Sequence, residues 1–162
     1  MGYGYDKSFK FNLKGGHKSQ LRPLIIDSEL FIGPNKELKH EADIGDIDVF
    51  IIDKAEKVIY SLECKSLSMS RNIKEMAMEV ERLFGSETEK GYIKRHIERD
   101  EWIKNNKEQL SAKYDIELND FSVKSFMVTQ EDMLTPYLNN RESALPFVTL
   151  YSLKKGGLNA LK

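Results

Sequence analysis

The stretch GDIDVFIIDKAEKVIYSLECKSL, Gly45 to Leu67, constrains this chain more than any other. Two runs rich in β-branched and aromatic residues, Asp48 to Asp53 and Val58 to Cys64, flank the short charged connection KAEK. So short a connection forces antiparallel pairing and predicts a hairpin. Side chains alternate between the faces of a strand. Asp46, Asp48, Phe50 and Ile52 therefore share one face of the first strand, while Glu63 and Lys65 share one face of the second and Tyr60, Leu62 and Cys64 take the other. The end of the second strand lies beside the start of the first, so Asp48 and Glu63 are expected to face each other.

Two carboxylates set close together repel one another and resist desolvation, so a stable arrangement requires a proton, a basic partner or a metal ion. Lys65 balances only one of the two charges. A hard divalent cation fits the remainder, because Mg²⁺ prefers oxygen ligands at ~2.1 Å and takes one or two carboxylates while keeping waters for chemistry. The backbone carbonyl of Cys64, between the two functional side chains of its strand, is the expected third ligand. Lys65 then stands beside the metal, where an ammonium steers a water or hydroxide and neutralises charge developing on a phosphate.

A glycine, an Asp at the start of a strand, a short hairpin and Glu-x-Lys at the end of the next strand form a pattern. Here it reads GDID with Asp48 and ECK with Glu63 and Lys65, and it resembles the PD-(D/E)xK nuclease superfamily, the restriction-endonuclease-like fold. The resemblance runs from Gly45 to Thr129, since IKRHIERDEWIKNN and SFMVT are similar to the helix and strand that follow the motif in that family. It implies a metal-dependent phosphodiesterase, an endonuclease acting on DNA: Asp48 and Glu63 hold Mg²⁺ or Mn²⁺, and Lys65 positions the attacking water. The family's core opens with a helix that often brings a further acid. The residues before Gly45 read instead as strands, so a partner subunit, a second copy of the chain or a longer protein would complete it. A binding module with a silent site, holding nucleic acid or another protein, is the alternative reading.

The rest of the chain predicts an α/β fold, a mixed sheet flanked by helices with an N-terminal β-hairpin. FKFNLKGG and LRPLIIDSELFI read as the two strands of that hairpin, an extension over residues 1–40 on a core over 41–162 within one compact domain. KELKHEAD predicts a polar connection with one helical turn. Ile73, Met76, Val80, Leu83 and Phe84 fall on one helical face, with Asn72 and Glu75 as the cap and Gly85 as the stop. Ser86 and Glu89 predict a second cap, opening one long polar helix through KGYIKRHIERDEWIKNNKEQLSAKY. FSVKSFMVT and FVTLYSL predict the last strands.

On the long helix Tyr92, His96, Arg99 and Ile103 share a face, and His96 and Arg99 are candidates to reach a phosphate at the site or to support its ligands from behind. Asp46, one pleat from Asp48, is a candidate for a water-mediated or second-metal contact, whereas Glu41 and Asp43 read as solvated acids. Glu79 and Lys74 project from the preceding helix toward the sheet, with Glu79 a candidate to assist. The basic arm before Asp27, with Lys10, Lys14 and Lys18, is a candidate nucleic-acid contact. Cys64 points away from Glu63 and reads as core; a single cysteine also excludes an intrachain disulfide or cysteine zinc cluster. Trp102 reads as packing, and His17, His40 and His96 are too scattered for a zinc site. With a formal net charge of −1, no run near the ~18 apolar residues of a membrane span and no apolar secretory core at the start, a soluble cytoplasmic protein is expected.

Overall fold

The computed structural model describes residues 24–67, 70–133 and 145–162. The expected first hairpin strand and the arm lysines Lys10, Lys14 and Lys18 lie outside them. Five strands form one mixed sheet in chain order: β1 (Leu24–Ile32), β2 (Gly45–Asp53), β3 (Val58–Lys65), β4 (Ser122–Thr129) and β5 (Phe147–Thr149). The first three pair antiparallel, and β4 and β5 run parallel to β3. Parallel pairing needs a long crossover, here supplied by α1 (Ile73–Phe84), α2 (Tyr92–Asn105) and α3 (Lys107–Tyr114).

The alternation read in the hairpin sorts the core into two layers. Phe50, Ile52 and Ile59 meet Trp102, Ile103 and Leu110 of α2 and α3 on one face. Val49, Ile51, Tyr60, Leu62 and Cys64 meet Leu153, Leu158 and Leu161 on the other, brought there by α4 (Leu150–Gly156) and a terminal 3-10 turn (Gly157–Leu161). Central strands with both faces covered explain why β3 is buried from Val58 to Cys64. Each fully buried Leu or Ile contributes about 1.5–3 kcal/mol, which holds α2 firmly over the hairpin.

Several sequence expectations give way to local chemistry. The long helix breaks at Asn106, which leaves helical geometry and turns its side-chain amide back to the Trp102 carbonyl at 2.9 Å. Ser86 does not cap a helix: its hydroxyl accepts from Thr88 and Glu89 within a loop, and α2 starts later, after Gly91. Close backbone approach fixes that start, since a Cβ on Gly91 would stand 2.3 Å from the Gly85 nitrogen. FVTLYSL is a strand only to Thr149, whose hydroxyl accepts from the Ser152 amide and turns the chain into α4. KELKHEAD forms no helical turn, because the Gly33 carbonyl gathers the amides of Lys36 and His40 into a looped turn. The Asn72 cap stands as expected, with the Glu75 amide donating to its side chain at 3.0 Å. Ile73, however, is 85% exposed rather than packed, because α1 is anchored through its C-terminal half by Leu83.

Candidate metal centre at the end of the central hairpin

The β2–β3 ladder runs from Asp53↔Val58 to Val49↔Leu62 and ends there. The next pair in that register is Asp48 and Glu63. Past the last rung, the Asp48 carboxylate takes over the pairing itself: Oδ2 accepts the backbone N–H of Cys64 at 2.6 Å. The ladder also skips a rung on the β1 side of Asp48, where Glu29, due to stand opposite, has a φ of +56°. Asp48 thus sits where the sheet's own hydrogen bonding is interrupted on both flanks. Irregular backbone of this kind concentrates at functional positions.

Glu63 is buried and both its oxygens are engaged. The Lys65 ammonium lies 2.7 Å from Oε1, and Arg99 donates from Nη2 to Oε2 at 2.5 Å. The Lys65 ammonium also stands 4.7 Å from the ring centre of Tyr92, the residue that opens α2. Burial alone would lower the Lys65 pKa, but Glu63 and Asp48 outweigh it and the net shift is upward. Lys65 is therefore an ammonium at neutral pH, a charge donor and not a base.

Pairing with Lys65 leaves one carboxylate charge of the Asp48–Glu63 pair unmet. Arg99 meets it at Glu63, a partner that spacing along the helix did not reveal. Asp48 stays under-compensated: burial first, then the Glu63 charge, raise its carboxyl to about 6 against the offsetting Cys64 amide and Lys65. A cation therefore has a charge to neutralise at Asp48. The donors are all oxygens, two carboxylates and the Cys64 carbonyl, and a strand residue sends its N–H and C=O out along the same edge. Cys64 aims that edge at Asp48. This donor set suits Mg²⁺ or Mn²⁺.

The remaining candidates divide. His96 is fully buried beneath Glu63; its Nε2 faces the Ser61 carbonyl at 3.2 Å and so carries the proton, leaving Nδ1 4.0 Å from Glu63 Oε2 without a hydrogen bond among the described residues. Burial lowers its pKa to about 4, so it is neutral. Arg99 binds Glu63 directly, and His96 lies beside Glu63 without bonding it. Asp46, half-buried opposite Phe31, acts on Asp48 only through its charge. Glu79 is buried on α1, where Ser70 Oγ donates to it; it lines a cleft of about 310 Å³ with Ser66, Leu67, Arg71 and Arg82, next along the chain from Lys65. No group of three or more His, Cys, Asp or Glu side chains able to hold a metal gathers among the described residues, so none of these extends the Asp48–Glu63 pair. Lys74, Glu41 and Asp43 are exposed. Trp102 is packed, with its indole N–H donating to the Lys39 carbonyl. Cys64 is a buried thiol whose pKa burial pushes up, which removes it as a nucleophile.

Two residues of the site escaped sequence reasoning. Spacing gives Tyr92 only as a member of a helical face and Gly45 only as part of a motif; the Gly45 φ of +86° and its closeness to Arg99 are visible only in three dimensions. No helix among the described residues is long and apolar enough to cross a membrane. No protein-family model, curated protein or solved structure matches this chain.

Proposed function

We propose that this chain is a metal-dependent nuclease of the restriction-endonuclease-like type that hydrolyses phosphodiester bonds, with DNA as its substrate. The observation that supports the reading is that Asp48 accepts the Cys64 N–H where the β2–β3 ladder stops, while Glu63 and Lys65, the residues on either side of Cys64, pair with each other. Asp48 and Glu63, with the Cys64 carbonyl, would hold a divalent cation. When bound, such an ion polarises a phosphoryl oxygen and makes its water more acidic. Lys65, held by Glu63 and Tyr92, keeps its proton, orients the attacking water by hydrogen bonding and offsets charge gathering on the phosphate. Asp48, with a carboxyl near 6, is ionised above that pH and available to a cation.

A second reading has one specific observation in its favour. Both Glu63 oxygens already have cationic partners in Lys65 and Arg99, an arrangement that also serves a module with an unused site.

Incubating the purified chain with plasmid DNA, with and without Mg²⁺ or Mn²⁺, separates the two. The nuclease reading expects metal-dependent cleavage that Lys65→Ala and Asp48→Ala abolish. Cleavage by the variants equal to the parent's would point to a contaminant. An inert parent that retards DNA on a gel without metal would establish the binding module instead.

A further inference from the structure

We propose that Arg99 is the positioning residue of this site, holding Glu63 by Oε2 so that Oε1 is the oxygen a divalent cation takes. The inference rests on the metal reading above and names the residue that keeps the site assembled.

Arg99 is buried, and its planar fork reaches two elements at once: Nη2 donates to Glu63 at the end of β3, and Nη1 donates to the Ile44 carbonyl, just ahead of β2, at 3.1 Å. Beyond Val49↔Leu62 the two strands share no ladder rung. The Arg99 bridge and the Asp48–Cys64 bond tie them together past that point. Gly45 makes room for the bridge, since a Cβ there would meet Nη1 at 3.3 Å and its φ of +86° disfavours any side chain.

The partners of the two Glu63 oxygens differ in kind. The Arg99 side chain is 5% exposed and bonded through both Nη atoms to two different elements, so it stays; the Lys65 side chain, 26% exposed, is the more accessible of the two partners, so it yields. Oε1 is thus the exchangeable side. Without Arg99, the buried Oε2 loses its donor, and Glu63 is left to close on Lys65 as its remaining ion-pair partner. Residues that orient metal ligands in this way typically affect metal affinity about 10–100-fold.

The test measures Mn²⁺ binding by titration calorimetry on the full chain at pH 8, beside thermal melts. Arg99→Met is expected to weaken Mn²⁺ binding by about 10–100-fold, and Arg99→Lys to recover part of the loss by restoring a donor. Asp100→Ala, on the same helix as Arg99, is the structural control: it removes bonds to Ser125 of β4 and to Lys104, and is expected to lower the melting temperature while binding Mn²⁺ like the parent. Should Arg99→Met fail to fold, Arg99→Lys and Gly45→Ala carry the test, each expected to weaken binding. A parent that binds Mn²⁺ with Arg99 variants binding equally well or better overturns this inference alone. A parent that binds no Mn²⁺ overturns the metal reading beneath it.

Discussion

Asp48 Oδ2 accepts the backbone N–H of Cys64 at 2.6 Å, across two strands that have just ceased to pair with each other. The carboxylate does the work of a main-chain carbonyl, yet it carries a charge that the site compensates poorly. Its pKa, raised from 3.8 to about 6 by burial and by Glu63, makes the folded state bind a proton more tightly than the unfolded one. The stability this adds is fully present below 3.8 and is lost as pH rises through 6.

Asp48→Asn keeps an acceptor for Cys64 and removes the charge. In metal-free buffer at pH 8 it is expected to stabilise the fold by roughly 1 kcal/mol after discounting for partial exposure, or a few degrees in melting temperature. At pH 4 the gain disappears, because the parent's Asp48 is then largely protonated. Thermal melts at the two pH values check this; an equal effect at both would show that charge is not the cause.

His96 provides the opposite slope. Its pKa is lowered from 6.5 to about 4 by burial, so the stability of its neutral form is present above 6.5 and is lost as pH falls through 4. Between 4 and 6 it works against Asp48. Relative to the parent, His96→Gln is expected to gain stability as the medium is acidified through this window, whereas Asp48→Asn loses its advantage there. Urea denaturation at half-unit pH steps reads both differences. Slopes of the same sign would contradict the burial of a neutral imidazole.

Tyr92 holds the Lys65 ammonium against its ring. A cation–π contact contributes about 0.5–2 kcal/mol. Tyr92→Phe keeps the ring face and is expected to cleave plasmid DNA at near the parent's rate. Tyr92→Leu is expected to lose several-fold to about 30-fold in kcat with little change in KM. Initial rates on supercoiled plasmid decide it, and equal loss in both variants would assign Tyr92 a role through its hydroxyl.

The loop that delivers α2 to the site depends on two glycines in backbone contact. A Cβ on Gly91 would press on the Gly85 nitrogen and the Leu83 carbonyl, at 2.3 and 2.4 Å, neither of which is free to move away. Gly91→Ala is expected to cost about 2–3 kcal/mol, while Gly156→Ala, where the nearest atom is 3.5 Å away, is expected to change little. Chemical denaturation of the two variants measures the contrast.

The hairpin was legible in the sequence because period-two alternation and a short connection are local signals, and they place Asp48, Glu63 and Lys65 on one face without tertiary information. The Asn72 cap was legible for the same reason. What the sequence hid depends on contacts between distant residues or on competition among side chains. Arg99 falls on the same face as His96 by spacing, but its partner lies 36 positions away, so its hold on Glu63 shows only in three dimensions. The break at Asn106 arises because an amide able to fold back on Trp102 outcompetes helix continuation. Thr149 illustrates the same ambiguity: a β-branched residue that ends a strand is equally suited to cap the helix after it.

A divalent cation shared by Asp48 and Glu63 is the central proposal. The most direct measurement is anomalous diffraction from crystals soaked in Mn²⁺, recorded above and below the manganese edge. The predicted result is a single strong peak in contact with Asp48, Glu63 and the Cys64 carbonyl, absent from crystals of Asp48→Asn. A map with no peak there at saturating Mn²⁺, or with Lys65 still closed on Glu63 Oε1, would contradict it.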